Sequence, residues 1–579
     1  NIPLYAISVI ALASPLLGYV FRGLTSYSSY FIAAIILSAF LTVYAISTIF
    51  SKNERSVITV SKIDILIGVY LLYNLLGIFV LHKTSPEPLF YARWCLFVML
   101  YITARLTTKA NAIKLLNLLI IGGLTQAVIV FAQYIGIINS LNSDFSITGS
   151  FTNPGHVAVY LSGSIVSAII LFKQSYKTAE KPFKIMQIIF IVLFTALCLC
   201  KSRTSFIALI AAVIVVLLQT DRFRHFTKVC KTAIVACSVI LLLFMVAVSY
   251  HIRAKSADAR LLIWRVSMEL FEQAPVFGNG TESFKRQYMY RQAEYFNVNP
   301  NSKYILVANN HYQAFNEFIH IACEQGIVGL LLFLSIAGYV LVKGKSLIAK
   351  PLLVWLVVSS CFLYTADIFP IVILFPIILG ISDNGCCAGG GCKIKYIPYR
   401  TGRTASTIIL FVVLLYFCHY KQRYDSIQKE LVHVNSNNRI SMIALLQPDS
   451  YDIIRHNKDF SLLFAKMASN ELEPKVATKV ISDIAANSIT TSTMICDLGD
   501  LYRKQKFYRE AEKQYKLASD MVPCRIMPNY MLFKLYVEMK DYTSAYRMAE
   551  KIFSQPVSIT GSMVLRIRNE VKEWLNDSE

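Results

Sequence analysis

The chain has 579 residues, 55% of them hydrophobic, with a mean hydropathy of +0.51, which excludes an ordinary soluble globular protein. Its net charge of +22 would suit nucleic acid if it were gathered on one folded face. Instead the Lys and Arg are strung along short connections between apolar runs, which excludes that reading.

About thirteen runs are long and apolar enough to cross a bilayer. They lie near 3–20, 30–50, 62–82, 88–105, 113–138, 156–173, 184–200, 203–219, 230–249, 317–342, 351–366, 367–382 and 405–420. The 351–382 stretch also reads as one re-entrant hairpin. The first residue is Asn, so a missing start or a cleaved signal peptide stays open. The expected fold is therefore all-α: a polytopic bundle of about 12–14 spans. It covers 1–420, with a separate helical unit over 421–579.

Every second connection is basic. Lys52, Arg55 and Lys62 are followed by Arg105, Lys109 and Lys114, then by Lys173, Lys177, Lys181 and Lys184. Arg222, Arg224, Lys228 and Lys231 come next, then Lys343, Lys345 and Lys350, and lastly Lys393, Lys395, Arg400 and Arg403. The connection at 139–155 carries no Lys or Arg at all. This positive-inside pattern assigns the basic loops to the cytoplasm. It turns 139–155, the 250–315 loop and everything after 420 outward, away from ATP and sugar nucleotides. Chemistry there needs a substrate that arrives already activated.

The 250–315 loop is the longest polar interruption, and a loop of that length is usually functional or disordered. Arg260, Trp264, Arg265, His311 and the Pro-x-x-Gly-x-Gly of Pro275, Gly278 and Gly280 are poor ingredients for disorder. Arg203, at the outward turn between two spans, and Arg93, inside the outer end of the fourth, are costly in a membrane. They either snorkel to headgroups or join Arg260 and Arg265 in binding phosphate, which guanidinium groups do bidentately. No Asp-rich or Gly-Lys-Ser/Thr motif accompanies them, so neither a nucleotide nor a metal site is expected.

Six of the thirteen cysteines (Cys95, Cys198, Cys200, Cys237, Cys361 and Cys418) fall in apolar runs and read as small hydrophobes. Cys386, Cys387 and Cys392 share a Gly-rich loop, where metal binding lacks a His or a second Cys pair. Cys496 and Cys524 lie on the outward unit and can pair. There, Leu498, Gly499, Tyr502, Ala511, Tyr515, Ala518 and Pro523 match the tetratricopeptide spacing, and Leu532, Tyr536 and Ala545 form a weaker second copy. Such a unit either offers a concave surface to a partner protein or braces the membrane part.

The order GSFTNPGHVAVYL (149–161), SRTSFIALI (202–210), RLLIWRVSMELF (260–271), APVFGNGTESF (274–284) and FNEFIHIACEQGIVGLLLF (315–333) resembles the O-antigen ligase, O-antigen polymerase and bacterial O-oligosaccharyltransferase superfamily. The resemblance spans roughly 140–345. It implies a multi-pass protein of the bacterial inner membrane with its working loop in the periplasm. Such an enzyme transfers glycan from undecaprenyl pyrophosphate to lipid A-core, a growing polysaccharide or a protein side chain, with no metal or cofactor. The family's pyrophosphate-contacting Arg residues fall on Arg203 and Arg260. Asn153 and Pro154 match its Asn-Pro turn, read as shaping the outer cavity.

One departure stands out. Phe315 occupies the position before Asn316 where the family commonly has His. If the segment is helical, His311 shares that face and becomes the leading acceptor-activating group. Glu317 is an alternative base. His320, between Asn316 and Glu324, reads first as a helix-packing residue bonded to Glu324. Gly278 and Gly280 fit a tight turn beside a ligand or plain loop geometry. A ligase or protein oligosaccharyltransferase is the leading expectation, with a polymerase or a lipid-linked glycan flippase as alternatives. The absence of duplicated halves argues against the flippase.

Overall fold

A computed structural model describes residues 26–49, 59–82, 86–105, 109–175, 182–220, 223, 225–252, 254–382, 392–393, 399–433, 439–558 and 561–578. The expected span at 3–20 lies outside the described residues, as do Lys52, Arg55, Lys177, Lys181, Arg222, Arg224, Cys386, Cys387 and Lys395. What is described is almost wholly helical. The exception is one pair of two-residue strands, Thr59–Val60 against Cys392–Lys393, antiparallel with Thr59 opposite Lys393.

The membrane part runs through α1 (Ser26–Ile49), α2 (Lys62–Leu76, continued by a wide turn to Leu81), α3 (Pro88–Arg105), α4 (Lys109–Tyr134), α5 (Pro154–Ser175), α6 (Pro182–Leu199), α7 (Arg203–Leu218) and α8 (Lys228–Ile252). Among the described residues, five helical stretches are long and apolar enough to cross a membrane: Ser29–Ile46, Lys62–Leu81, Ala112–Tyr134, Pro154–Gln174 and Glu317–Lys343. Shorter apolar helices, among them Lys184–Leu199, Arg203–Leu218 and Ala349–Ser360, fill the bundle around them. The fold is therefore an all-α polytopic membrane protein.

The polar stretch expected as one long loop is mostly helix. It forms α9 (Ala254–Gln273) and α10 (Ser283–Val298), joined by the Pro275–Gly280 turn. The chain from 299 to 316, irregular but for a 3₁₀ turn at Ile305–Val307, then leads into α11 (Glu317–Lys343). The glycines of that turn pack against α11 itself. In an unbroken helix the amides of Ile327 and Val328 would bond the carbonyls of Cys323 and Glu324. Here those amides donate to Pro275 O (2.8 Å) and Val276 O (3.3 Å). The two carbonyls accept from Asn279 N and Gly280 N, both at 2.9 Å. The turn is thus intercalated into the helix, and α11 kinks at Gly326 (φ 68°). A Cβ at Gly326 would lie 2.2 Å from Val276 O, and one at Gly278 would lie 2.3 Å from the Glu324 backbone. Only glycine permits that approach.

After α11 the apolar 351–382 stretch breaks into α12 (Ala349–Ser360), a 3₁₀ turn at Thr365–Asp367, α13 (Phe369–Val372) and α14 (Leu374–Ile381). The helix α15 (Tyr399–His433) runs through position 420 without interruption. Beyond it come α16 (Arg439–Leu445), α17 (Pro448–His456), α18 (Lys458–Glu471), α19 (Pro474–Asn487), α20 (Ser492–Lys504), α21 (Tyr508–Met521), α22 (Ile526–Glu538), α23 (Tyr542–Ser554) and α24 (Ser562–Ser578). From α17 onward each helix packs against the next. Gly499 lets α20 approach α21, because a Cβ there would sit 2.6 Å from the Tyr515 ring. Cys496 and Cys524 are buried free thiols rather than a disulfide. The Cys524 sulfur instead lies 3.4 Å from Ala308 O.

Residues 442–501 share one apolar core with the membrane helices, whereas 495–571 pack with α9, α10 and the segment before α11. Polar bonds fasten the same joint. Ser492 N donates to Asn310 Oδ1 (3.0 Å), Arg525 Nη2 to Asn309 Oδ1 (2.9 Å) and Thr490 N to Lys285 O (3.4 Å).

Candidate active site

Where α11 begins, a cavity of about 560 Å³ opens among α1, α2, α3, α5, α11, the 361–368 turn, the start of α10 and the start of α18. One part is apolar, with Leu96, Phe97, Leu100, Phe333, Ile336 and Phe375. The remainder carries Glu87, Arg93, His156, Glu282, Lys285, Glu317, His320, Glu324, Asp367 and Lys458.

Asn316 fixes the entry of α11. Its side chain accepts from Phe318 N (2.9 Å) and Ile319 N (3.2 Å), an N-cap that directs the first turn. Glu317, His320 and Glu324 follow at helical spacing and share the cavity-lining face with Ile321. Glu317 Oε1 accepts from Ala366 N at 2.8 Å, which ties α11 to the 3₁₀ turn. His320 Nε2 lies 3.4 Å from Glu324 Oε1, the packing contact expected for it, while the ring also borders the cavity and tilts over Phe284 at 5.0 Å. Glu324 Oε1 further accepts from Phe284 N (3.4 Å) at the start of α10.

Asp367 follows directly after Ala366 and gathers further partners. Arg93 Nη1 approaches its Oδ1 at 3.3 Å, and Gln313 Nε2 donates to Oδ2. The Arg93 guanidinium also lies over Tyr30, 4.7 Å from the ring centre, so it is held from two sides rather than snorkelling freely. Asn153 and Pro154 start α5. Asn153 Oδ1 accepts from Gly155 N (2.8 Å), and Thr152 and His156 flank the pair on the cavity wall. The preceding turn is clamped by Gln133 of α4, whose amide bonds Thr148 N (2.9 Å), Gly149 N (2.8 Å) and Gly149 O (2.9 Å).

The other expected site residues fall elsewhere. Burial, with the Arg203 charge added, pushes Arg260 down to about 10. Neither lines the cavity, though Trp264, one turn beyond Arg260, donates from Nε1 to Ala314 O (3.0 Å) on its wall. Arg265 lies over Tyr295 at 5.4 Å, outside the cavity lining. The helical premise for His311 fails, because Phe315 has φ +52° and α11 starts only after Asn316. His311 packs edge-on to Tyr288 (6.2 Å) and Phe315 (6.1 Å), and burial lowers its pKa to about 4. It does not line the cavity.

Several cavity residues escaped the sequence reading. Asp367 carried a signal, as the acid in an apolar stretch of 32 residues, and intramembrane acids are functional by default. His156 sits in the Asn-Pro-Gly-His turn already singled out. Lys285 and Lys458 are indistinguishable in sequence from surface lysines.

Residues 188–334 match the family model described as O-antigen ligase. This segment is similar to that family. The matched segment includes Arg203, α9, the intercalated turn, α10 and the polar face of α11. It supports a ligase-type activity on lipid-linked glycan in a multi-pass bacterial membrane protein. No curated protein matches the chain.

Proposed function

We propose that this protein transfers a glycan from a lipid diphosphate carrier, undecaprenyl pyrophosphate, to an acceptor on the extracytoplasmic face of the inner membrane. The observation that carries this reading is the two-part cavity. Its apolar section suits a polyprenyl chain, and its polar section suits the diphosphate, the sugar and the acceptor. Arg93 binds the diphosphate on the cavity wall. Arg203 on α7 and Arg260 on α9, the first of which adds its charge at the second, form a separate anion-binding point outside the cavity lining. Glu317 accepts the proton of the acceptor hydroxyl as its oxygen attacks the anomeric carbon. The carbon–oxygen bond to the diphosphate breaks, and the electron pair leaves with the diphosphate, whose growing charge Arg93 stabilises. In-line attack inverts that carbon. The lipid A-core and a protein side chain are the acceptors we favour. The C-terminal helices, read as tetratricopeptide-like, give no evident help in extending sugar on sugar.

The test uses purified full-length protein, lipid-linked glycan and candidate acceptors, with chelator present. Release of carrier diphosphate only when acceptor is added is the expected result, and its loss in Arg93→Ala, Arg203→Ala and Arg260→Ala assigns the binding groups. Transport of the glycan across a vesicle membrane without release would replace transfer by flipping.

A further inference from the structure

Near Glu317, three polar atoms on residues of the cavity wall are buried without a hydrogen-bond partner: Arg93 Nε, Gln325 Oε1 and His156 Nε2. Arg93 is already committed through Nη1 to Asp367, and Gln325 belongs to the kink of α11. His156 has no comparable duty. Its backbone amide bonds Asn153 O (3.1 Å), which fixes the residue at the first turn of α5. Its ring stands perpendicular to Tyr364 (5.1 Å) and to Phe151 (6.4 Å), so its orientation is set by aromatic packing. It is 8% exposed.

We infer that His156 is a carbohydrate-binding residue, whose imidazole hydrogen-bonds a hydroxyl of the glycan held in this cavity. A buried imidazole nitrogen left unpaired costs free energy, and an apolar residue would fill the same slot without that penalty. A bound hydroxyl removes the penalty, because it can both donate and accept. The setting suits a sugar better than a phosphate. Tyr364 also packs edge-on to Phe315 (5.1 Å), so His156 belongs to an aromatic wall of the kind that receives the apolar face of a pyranose. His311 has an equally unpaired Nε2, but it does not line the cavity and receives no such role.

This inference rests on the transfer reading, and the experiment separates the two. Affinity is measured in nanodiscs for lipid-linked glycan and for the bare lipid diphosphate, alongside KM and kcat for transfer. His156→Phe is expected to weaken binding of the glycan-bearing lipid about 5–10-fold and to raise its KM to match. Affinity for the bare lipid diphosphate should stay unchanged, and His156→Gln should recover most of the loss. Equal weakening toward both lipids, or no weakening toward either, overturns the inference while leaving transfer intact. If His156→Phe does not fold, His156→Asn, which is too short to reach, must show the same sugar-specific loss. A wild-type protein that binds no lipid-linked glycan overturns the transfer reading itself.

Discussion

Two carboxylates on the wall of one cavity are treated differently by the fold. Glu87, between α2 and α3, is 5% exposed, and its Oε1 accepts from Tyr424 Oη (2.7 Å) and Asn457 Nδ2 (2.8 Å). The first donor comes from α15 and the second from the start of α18, so three distant parts of the chain close on one oxygen. Asn457 is also spent at its other end, capping α18 through Asp459 N and Phe460 N, both at 3.1 Å. Glu317 accepts one backbone amide, and the wall it shares holds unpaired atoms of Arg93, His156 and Gln325. A buried cluster whose bonds are complete joins elements together. One with bonds left over has room for a ligand.

The largest effect is expected from Glu317→Gln. The amide still accepts from Ala366 N, so the melting temperature should change little, while kcat falls about 10²–10⁴-fold as the proton acceptor is lost. A variant that keeps wild-type turnover would move the base elsewhere in the cavity and weaken the contrast between the two carboxylates. Next comes Gly326→Ala. It forces a Cβ to within 2.2 Å of Val276 O at a residue with φ +68°, which breaks the intercalated turn. Backbone strain alone contributes about 1–3 kcal/mol, and the clash adds to it. Lower thermal stability together with reduced transfer should follow, since the same turn sets the start of α10 and the polar face of α11.

The fold was legible where apolar runs spoke for it, and so was the family resemblance over 188–334. The cavity was only half legible. Glu317, Asn316 and Glu324 could be placed because helical spacing follows from sequence. His311 could not, because a non-glycine residue with positive φ at Phe315 leaves no trace in hydrophobic pattern. Asp367, Lys285 and Lys458 reach the cavity from three separate elements, and one-dimensional order does not record that convergence. The tight turn at Gly278 was legible, but its close approach to α11 was not, for a similar reason: the atoms that exclude a Cβ there belong to Glu324 and Gln325, more than forty residues away.

Glu87→Gln sharpens the comparison from the structural side. Burial, the largest cause, and the nearby Glu282 raise Glu87 to about 6 against Lys285 and its two donors. A carboxyl whose folded pKa is raised stabilises most below its unfolded value near 4.5 and loses that contribution as pH rises through 6. Gln keeps an acceptor for Tyr424 and Asn457 and carries no charge. The variant should therefore remove the decline in stability between pH 4.5 and 6, equal stability at pH 7.5 or exceed it by about 1–2 kcal/mol, and leave the donor KM unchanged. A thermal-unfolding series across that range reads it out. A slope that persists in the variant assigns the titration to another group.

The smallest effect at neutral pH belongs to His311→Leu, and it runs with the opposite sign. Burial lowers the His311 pKa to about 4, so the folded protein keeps the imidazole neutral while the unfolded chain takes a proton near 6.5. Stability is then full above pH 6.5 and is lost as pH falls toward 4, the reverse of the Glu87 profile. Replacing the ring by Leu removes that acid-side loss and preserves apolar contact with Tyr288 and Phe315. Because His311 does not line the cavity, transfer at pH 7.5 should stay within about threefold of wild type. A hundredfold fall in kcat with the melting temperature intact would place His311 in contact with substrate after all. That result would require the segment from 308 to 316 to rearrange when glycan binds, and the distinction drawn between filled and unfilled clusters would then hold only for the empty protein.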